Sequence, residues 1–454
     1  MQDCVFGISG LRGVVGNGFT AEVVTKVAAV FGNFIGPGII AVGRDTRPSG
    51  VAFLSATAAG LMSAGCVVED LGICPTPTVL HHVRLKGRGG AVVVTASHNP
   101  KAWNGMKFVG PDGLFLSPVE FERFRNSAER GKVSRADWRS IGELRRYQGA
   151  VDDHISAITE NELFSDVRNR TSGIRVGVDA VNGAASEAAI GLIRKMGAEP
   201  VELNCRTDRA LLLNGFPRAT EPRACNLTDL SNLVRAEKLD FGVAFDPDGD
   251  RTSFVDETGE PLGEEKSICL ACLYVLPRRK GSVVVNLSTT RAVEDICSRL
   301  SVKVERSAVG EASVVSRMKE IGAVLGGEGN GGVILPEVNF TRDGLVALGC
   351  VLGLLGSRNI GLSGLRKEIP EYRMVKSVLD LSRPEFDARR KRLLEEFSNA
   401  RVDNQDGVKL EGVGYWVHVR PSNTEPVVRL IAETDGKIRA EDIVERAKGA
   451  LKGM

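Results

Sequence analysis

The stretch VVVTASHNP, Val92 to Pro100, joins an apolar, β-branched run to a polar turn. The consecutive valines favour a buried strand, and the polar residues that follow place the hydroxyl of Ser97 at the end of that strand. In open α/β sheets, ligands bind beyond the carboxyl ends of the strands. The stretch therefore predicts an α/β sheet with a candidate nucleophile, Ser97, at its ligand-binding edge.

A second run of the same kind is FDPDGDR, Phe245 to Arg251, which places three carboxylates on alternate residues, Asp246, Asp248 and Asp250. Carboxylates at this spacing can converge on one cation only if the backbone curls around it, and the intervening proline and glycine favour such a curl. Oxygen ligands suit Mg²⁺, which prefers octahedral coordination. A serine hydroxyl together with a magnesium site predicts phosphoryl transfer.

A calcium-binding EF-hand and a solvated acidic turn are the alternative interpretations of these aspartates. Asp246, Asp248, Asp250 and Glu257 fall at the first, third, fifth and twelfth positions of an EF-hand loop. The sixth position of that loop requires glycine but is Arg251 here, and the residues before Asp246 are typical of a strand. Arg251 also favours a substrate site over a solvated turn, because a guanidinium beside metal carboxylates suits a phosphate oxygen.

The order of apolar runs predicts an α/β protein in which a doubly wound unit occurs three times, over residues 1–150, 151–258 and 259–370. In the third unit the strand leads into a glycine-rich loop, GGEGNGG, Gly326 to Gly332. Residues 371–454 predict a smaller α+β domain, and Asn204 to Arg223 predict a loop. The predicted strands are Ile39–Val42, Cys66–Val68, Ala91–Val94, Ile174–Val178, Ser282–Val285, Met374–Val378, Gly414–Val419 and Val427–Ala432. The predicted helices are Ser49–Gly65, Thr78–Lys86, Ser186–Met196, Thr290–Leu300, Glu311–Ile321, Pro384–Phe397 and Ala440–Leu451.

The composition is that of an ordinary globular protein. Of the 454 residues, 43% are hydrophobic and 26% charged, and the formal net charge of +2 does not indicate a nucleic-acid partner. The chain has no apolar run of the length that spans a bilayer, so we expect no membrane partner and a cytoplasmic location. The nine cysteines are an odd count, and Cys269 and Cys272 lie in an apolar helical run, so we expect reduced, buried thiols.

Further runs along the chain extend the pattern. They are FGISGLRG, GRDTR, NGMKF and RPSNTEP, beginning at Phe6, Gly43, Asn104 and Arg420. Together with the serine, aspartate and glycine-rich loops, and in this order, they resemble the motifs of the α-D-phosphohexomutase superfamily, which includes phosphoglucomutase, phosphomannomutase and phosphoglucosamine mutase. The resemblance spans essentially the whole chain. It implies four domains around a central cleft, three of them related α/β units.

The resemblance also implies a role for each loop. Ser97 would carry a phosphoryl group and, with Asp246, Asp248 and Asp250, ligate Mg²⁺. Glu328 and Asn330 would bind sugar hydroxyls, and the non-transferring phosphate would be bound by Arg420, Ser422, Asn423, Thr424 and Arg429. The remaining candidates are Lys107, Arg12 and Arg251 as catalytic residues and Thr95, His98 and Asn99 as supports of the serine loop.

The implied activity is interconversion of a hexose or hexosamine 6-phosphate with the 1-phosphate, through a phosphoserine and a bound hexose 1,6-bisphosphate that also serves as activator. Glucosamine, mannose and glucose phosphates all remain possible substrates, and relatives occur as monomers and homodimers. Many relatives have serine in place of Asn330 and histidine in place of Gly332, a candidate proton-transfer group. Its absence leaves Lys107 and Arg12 as the candidates here. Asn423 replaces the more usual glycine of the phosphate loop.

Each motif has a simpler interpretation: Ser97 alone would suit a helix N-cap, and the glycine-rich loop an ordinary turn. A metal-dependent sugar-phosphate phosphatase would also use a serine and metals, but it typically needs more histidines than the five present. A non-catalytic sugar-phosphate-binding protein would keep the phosphate loop and lose the nucleophile or the metal ligands, all of which are present. Several coincidences in a fixed order are less probable than one active site.

Overall fold

The described part of the chain folds into four β-sheets, three of mixed direction and one antiparallel. The computed structural model describes residues 4–7, 10–358, 360–422 and 426–452. The architecture confirms the predicted fold class, three related α/β domains followed by a smaller C-terminal α+β domain.

The first domain is built on an eight-stranded sheet. Its strands are β1 (Val5–Gly7), β2 (Gly10–Val15), β3 (Gly18–Phe19), β4 (Ile39–Arg44), β5 (Val67–Ile73), β6 (Gly90–Val94), β7 (Trp103–Val109) and β8 (Leu144–Arg146). Its helices are α1 (Ala21–Ile35), α2 (Gly50–Ser63), α3 (Thr76–Lys86) and α4 (Pro118–Arg130). The order is β1-β2-β7-β6-β4-β5-β8, with β3 beside β2. Every residue of β6 is buried, as its run of valines predicts for a central strand.

The second and third domains each have a four-stranded sheet. The second contains α5 (Ala150–Thr159), β9 (Arg175–Asp179), α6 (Ala185–Lys195), β10 (Glu199–Leu203), α7 (Arg209–Leu212), α8 (Thr228–Glu237), β11 (Phe241–Phe245) and β12 (Thr252–Asp256). The third contains α9 (Lys266–Val275), β13 (Val283–Asn286), α10 (Ala292–Arg299), β14 (Val304–Ser307), α11 (Glu311–Ile321), β15 (Leu325–Glu328), β16 (Gly332–Ile334), α12 (Gly344–Arg358) and α13 (Leu362–Arg366).

One four-strand unit recurs in all three α/β domains, as β5-β4-β6-β7, β10-β9-β11-β12 and β14-β13-β15-β16. In each unit the first three strands run parallel and the last is antiparallel to its neighbour. The loop that joins the third strand to the fourth therefore lies at a carboxyl end, where ligands bind in such sheets. These three loops contain Ser97, the three aspartates and the tip of the glycine-rich run.

Helix α12 lies between the second and third domains. Its residues Gly344–Leu355 are all buried, and the apolar side chains among them belong to the hydrophobic core that the two domains share, where α12 packs against α6 and α9. A helix that is apolar on every side is typical of such a buried position. Within the described parts of the chain, no helix combines the length and the apolar character needed to cross a membrane.

The C-terminal domain has more strands than the sequence predicted. It comprises β17 (Arg373–Asp380), α14 (Arg383–Glu396), β18 (Arg401–Asp403), β19 (Val408–Gly412), β20 (Tyr415–Pro421), β21 (Val427–Thr434) and α15 (Ala440–Lys452), with the sheet order β17-β21-β20-β19-β18. The prediction omitted β18 and β19. Strand β18 is short and polar, and β19 carries Lys409, whose buried ammonium lies 4.7 Å from the ring centre of Trp416.

Two smaller predictions can also be compared with the structure. The segment from Asn204 to Arg223 is mostly irregular as predicted, except that α7 forms one helical turn within it. No disulfide links the described cysteines, and Cys269 and Cys272 are buried in α9, as expected for core packing. The burial predicted for the cysteines holds for six of the nine, because Cys4 and Cys205 are half-buried and Cys225 is exposed.

The close contact between α1 and α2 depends on Gly60. A methyl group there would lie 2.3 Å from the carbonyl oxygen of Thr25 and 2.7 Å from Cβ of Ala28. We expect Gly60→Ala to destabilise the protein by about 1–3 kcal/mol, because the helix backbones must separate. The apparent midpoint of thermal unfolding should fall.

Gly449→Ala is the matched control, since Gly449 is also helical, in α15, and a methyl group there would meet nothing within 4 Å. We expect it to be neutral or to stabilise by up to about 1 kcal/mol through its higher helix propensity. Equal midpoints for Gly60→Ala and the parent protein would contradict the described packing of α1 on α2.

Candidate active site

Ser97 lies in the turn between β6 and β7, in a backbone conformation that is rare for a residue with a side chain. Its φ is 50°, in the left-handed region, which costs a non-glycine residue of the order of 1–2 kcal/mol. The turn is held locally because the backbone N–H of Ser97 donates to Thr95 Oγ1 at 2.9 Å. Ser97 is thus not the N-cap of a helix, and its strained conformation is of the kind found at functional sites.

A buried ion pair that the sequence analysis left without a role supports this turn. Arg47 Nε donates to Asp45 Oδ2 at 3.0 Å, and Thr95 Oγ1 donates to the same oxygen at 2.7 Å. The guanidinium of Arg47 also donates to four backbone carbonyls of the turn and its exit, those of Ser97, Asn99, Pro100 and Trp103. Both residues belong to the GRDTR run. An acidic residue and an arginine two positions apart, directly after a buried strand, could therefore have indicated this support from the sequence.

The three aspartates converge in the hairpin between β11 and β12. One oxygen from each of the three carboxylates lies within 4.8 Å of the chosen oxygens of the other two, and all three residues are buried. Oδ1 of Asp248 and Oδ1 of Asp250 accept no hydrogen bond within the described structure. Buried carboxylate oxygens without donors need a cation, and an all-oxygen set suits a hard divalent ion such as Mg²⁺. The residues present therefore fit a metal site.

Ser97 lies beside this cluster, with its Oγ 3.5 Å from Oδ2 of Asp246. The nucleophile candidate and the metal candidate are thus neighbours, although 149 residues separate them in sequence. Burial and the adjacent carboxylates of Asp250 and Asp248 raise the pKa of Asp246 well above its usual value. A divalent cation at the cluster would offset this concentration of negative charge.

The EF-hand interpretation does not fit the structure. Strands, not helices, flank the aspartates. Glu257, at the twelfth position of that loop, is bound elsewhere: it accepts hydrogen bonds from the backbone N–H and the hydroxyl of Ser363, at 3.0 and 2.6 Å.

Lys107, on β7, is buried against the same cluster. Its Nζ donates to Oδ2 of Asp248 at 2.6 Å and lies 3.4 Å from Oδ2 of Asp250. Burial acts to lower the pKa of Lys107, but the two carboxylates outweigh it, so the pKa is raised above its ordinary value. Lys107 is therefore an ammonium ion, a proton donor and not a ready base.

Arg12, Arg251 and His98 surround the serine turn. Arg12 Nη1 donates to Oδ1 of Asn99 at 2.8 Å, and Arg251 Nε lies 3.7 Å from Oδ1 of Asp250. His98 Nδ1 lies 3.4 Å from Ser97 Oγ, and burial together with the charges of Arg251 and Arg12 lowers the pKa of His98 to about 3. His98 is therefore neutral near pH 7, and the positive charge at this position comes from the arginines.

The glycine-rich loop holds Glu328 as a buried carboxylate. Its Oε1 accepts from Asn286 Nδ2 at 2.7 Å and from the backbone N–H of Gly310 at 3.0 Å. Its Oε2 accepts from Arg342 Nη1 at 2.8 Å and from Asn330 Nδ2 at 3.3 Å. The loop meets the aspartate hairpin directly, since Thr252 N donates to the carbonyl of Gly331 at 3.0 Å.

Sequence reasoning did not identify Asn286, Gly310 or Arg342 as part of the site. Asn286 ends β13, where the rule on carboxyl ends of strands could have located it. Gly310 and Arg342 had no such signal, because neither follows directly from an apolar run.

The candidate phosphate loop lies on the C-terminal sheet, where it follows β20 and precedes β21. Arg420 pairs with Asp406 at 2.9 Å, and Asp406 in turn accepts from the backbone N–H of Val309, next to Gly310. Arg429 lies opposite Arg420 in the sheet. Ser422 N donates to the carbonyl of Val427 at 2.8 Å, and the predicted residues Asn423 and Thr424 lie outside the described residues.

Comparison with known proteins identifies the family. The chain matches all four domains of the Phosphoglucomutase/phosphomannomutase family: α/β/α domain I over residues 3–133, domain II over 152–259, domain III over 264–372 and the C-terminal domain over 383–450. A relative from Methanopyrus kandleri, named "Probable phosphoglucosamine mutase", is 35% identical over 444 residues, 96% of this chain and 95% of the relative. A "Phosphoglucomutase/phosphomannomutase" from Thermococcus kodakarensis is 33% identical, covering 99% of both chains.

Solved structures agree. A phosphoglucomutase/phosphomannomutase family protein from Burkholderia thailandensis has a TM-score of 0.85 at 26% identity, covering 99% of this chain and 97% of that one. N-acetylphosphoglucosamine mutase from Aspergillus fumigatus, solved in complex with GlcNAc-6P and magnesium, shares the fold at a TM-score of 0.62 and 15% identity, with coverage of 99% and 95%. The chain belongs to the phosphoglucomutase/phosphomannomutase family, within the predicted α-D-phosphohexomutase superfamily.

The metal site can be tested by direct binding. We expect the wild-type protein to bind Mg²⁺ and Asp248→Asn to bind it much less tightly. Removing a group that only supports a metal ligand typically weakens metal binding by about 10- to 100-fold, and the loss of a ligand itself should exceed that. The amide keeps the shape of the side chain and removes a ligand charge. Isothermal titration calorimetry measures both affinities.

Glu257→Gln is the control for this experiment, because Glu257 would be a ligand only in an EF-hand. Its Mg²⁺ affinity should equal that of the wild type. A loss of affinity in Glu257→Gln, with none in Asp248→Asn, would contradict the triad as the metal site.

Proposed function

We propose that this member of the family interconverts the 6-phosphate and the 1-phosphate of a hexose or hexosamine, with Ser97 as the residue that carries the phosphoryl group. The observation that carries the proposal is the 3.5 Å separation of Ser97 Oγ from Asp246 Oδ2 in a buried carboxylate triad. A serine hydroxyl is a weak nucleophile, and phosphoryl transfer requires neutralised charge and in-line positioning more than a strong base. A metal ion at the triad, together with Arg251 and Arg12, would supply that neutralising charge beside the hydroxyl.

In this mechanism, phosphorylated Ser97 gives its phosphoryl group to the free hydroxyl of the bound sugar phosphate, which forms a hexose 1,6-bisphosphate. The bisphosphate turns round, and Ser97 takes back the other phosphoryl group. Each half-reaction breaks one P–O bond and forms another. The attacking hydroxyl loses one proton and the leaving oxygen gains one, so each half-reaction is balanced. The same residues therefore serve both directions.

Mg²⁺ at Asp246, Asp248 and Asp250, with an oxygen on Ser97 as a further ligand, would supply charge neutralisation to the transferring phosphoryl group. Arg251 and Arg12 add positive charge on the side of the serine turn. Glu328 and Asn330 are proposed to bind sugar hydroxyls. This assignment draws support from the hydrogen bonds that hold Glu328 in place on both of its oxygens.

The phosphate that is not transferred is proposed to bind Arg420, Ser422, Asn423, Thr424 and Arg429. Hydroxyls, backbone N–H groups and guanidinium groups together match the acceptor oxygens of a phosphate. Closure of the C-terminal domain over the bound sugar would exclude water and protect the phosphoserine from hydrolysis. Arg420 contacts Asp406, and Asp406 contacts Val309, which is next to Gly310 at the sugar site. These contacts connect the phosphate loop to the sugar site.

Glucosamine phosphates are the first substrates to test, because the relative from Methanopyrus kandleri is named a probable phosphoglucosamine mutase. Mannose and glucose phosphates follow, in view of the Thermococcus kodakarensis relative. A panel of the three 6-phosphates, with Mg²⁺ and trace bisphosphate, ranks them by kcat/KM. The cytoplasmic location remains a prediction from the sequence, which leaves both a monomer and a homodimer open.

Replacing the nucleophile gives the sharpest test. We expect Ser97→Ala to form no phosphoenzyme and to lose at least about 10³-fold in turnover, as for other essential nucleophiles. Incorporation of ³²P from labelled bisphosphate and a coupled isomerisation assay measure the two losses. Ser127→Ala, on the exposed face of α4, is the matched control and should retain wild-type activity.

Two outcomes would overturn the proposal. Near-native turnover of Ser97→Ala with purified bisphosphate would show that another group carries the phosphate. Net release of phosphate from glucose 1-phosphate by the wild type, without isomer formation, would identify a phosphatase instead.

Lys107 is proposed to exchange protons with the reacting sugar oxygen. Because its pKa is raised, the ammonium form persists through neutral pH and is lost only above the ordinary lysine range, so the contribution of Lys107 should be constant across neutral pH. We expect Lys107→Met to lower kcat by roughly 10²–10⁴-fold, the usual contribution of a positioned acid. The pH–rate profile of kcat from pH 6 to 11 measures this.

Lys101→Met provides the comparison, since Lys101 is an exposed lysine in the same region and should be dispensable. A Lys107→Met enzyme whose pH–rate profile matches that of the wild type in height and shape would rule out the proton-transfer role.

A further inference from the structure

Arg342 lies in the segment between β16 and α12, and its guanidinium faces three carboxylates. Nη2 donates to Oδ2 of Asp250 at 2.7 Å, and Nη1 donates to Oε2 of Glu328 at 2.8 Å. Nε lies 3.2 Å from Oε2 of Glu311, on α11. Asp250 belongs to the candidate metal triad and Glu328 to the candidate sugar loop. One planar side chain thus joins the two sites.

Among the residues that the structure describes, no other cationic side chain contacts both sites. Lys107 reaches Asp248 and Asp250, and Arg251 reaches Asp250 and Glu221. A guanidinium holds two carboxylates in a fixed geometry because its donors form a rigid fork, which the flexible ammonium of a lysine does not provide. Arg342 therefore constrains the position of Asp250 relative to Glu328.

Gly332 gives a second, independent observation. Its φ lies outside the left-handed region, so its backbone does not demand glycine, unlike that of Gly331 with φ 92°. A methyl group at position 332 would lie 2.2 Å from Cδ and 2.6 Å from Cγ of Arg342. Because Gly332 has no side chain, there is space beside it for the methylene groups of Arg342, which lead to the two carboxylates. This space is called the channel below.

We propose that Arg342 is a positioning residue that couples the metal site to the sugar site, so that a metal ion at the triad and a sugar phosphate at Glu328 each strengthen binding of the other. Gly332 is the residue that admits it. The inference rests on the proposed function for the identity of the two ligands. It adds that their affinities are linked through one side chain.

The coupling is measured by binding, without turnover, in full-length protein carrying Ser97→Ala. Titration calorimetry gives the Kd of glucosamine 6-phosphate, and of glucose 6-phosphate, with and without saturating Mg²⁺. The coupling is the ratio of the sugar-phosphate Kd without Mg²⁺ to the Kd with Mg²⁺. A substitution that weakens sugar-phosphate binding equally in both conditions leaves this ratio unchanged. We expect a ratio of at least about fivefold with Arg342 present, within the usual range of coupling between sites, and a ratio within about twofold in Arg342→Met.

Arg342→Lys separates bridging from charge. It keeps the positive charge and loses the fork, so its ratio should also fall to within about twofold, and it provides the answer if Arg342→Met fails to fold. A ratio in either folded variant equal to that of the parent would overturn the inference. So would the absence of coupling in the parent itself.

A double-mutant cycle tests the role of Gly332. In otherwise wild-type enzyme, Gly332→Ala should lower kcat/KM at least about tenfold by displacing Arg342, as expected for a small misplacement of an active-site group. In an Arg342→Ala background, the same change should alter kcat/KM less than about twofold, because the channel is then empty. An equal effect in both backgrounds would overturn the assignment.

The two proposals fail separately. If the wild type interconverts no hexose phosphate while Mg²⁺ and sugar phosphate still bind cooperatively through Arg342, the proposed function is wrong and the coupling stands. If the wild type is an active mutase and Arg342→Lys keeps full coupling, only the coupling is wrong.

Discussion

Crowded negative charge in a buried place is the constraint on which the rest of the site depends. Three aspartate carboxylates lie within 4.8 Å of one another with almost no exposure to solvent, and Glu328 is buried nearby. Carboxylates so placed are costly unless cations and hydrogen-bond donors face them. Lys107, Arg251 and Arg342 meet this need from three different elements.

The repeated four-strand unit explains how the components meet. In each α/β domain the connection from the last parallel strand to the antiparallel strand holds candidate site residues: the hydroxyl in the first domain, the carboxylates in the second and the glycine-rich tip in the third. Three copies of one topology thus place three different sets of candidate residues at equivalent positions. Loops of different domains contact one another at Ser97 and Asp246 and at Thr252 and Gly331. Arg342 adds a further contact, with Asp250.

The supports of the site are less visible in sequence than its reacting groups. Arg47 holds the strained turn of Ser97 by donating to backbone carbonyls, which carry no sequence signal of their own, and Asp45 accepts from Arg47 and so fixes its guanidinium. Strands β18 and β19 were missed for a related reason. In β19 the lysine at position 409 is buried beneath Trp416, an environment that only the neighbouring strand creates. Local pattern therefore predicted strands such as β4, β6, β9 and β13 and helices such as α2, α6 and α11. It missed the helices α1 and α12 and the interior strand β19.

The sequence by itself determined the α/β class, the strand that presents Ser97, the oxygen-rich character of the aspartate loop and the family. These features follow from the periodicity of apolar residues and from short motifs, because both depend only on residues that are close together in the chain. Only the tertiary structure decided which cations neutralise the triad, that Lys107 is one of them, and that Gly332 makes room for Arg342. Those facts depend on contacts between residues far apart in the chain, 92 positions for Arg342 and Asp250 and 141 for Lys107 and Asp248, and no local pattern encodes which distant charge will be buried beside which.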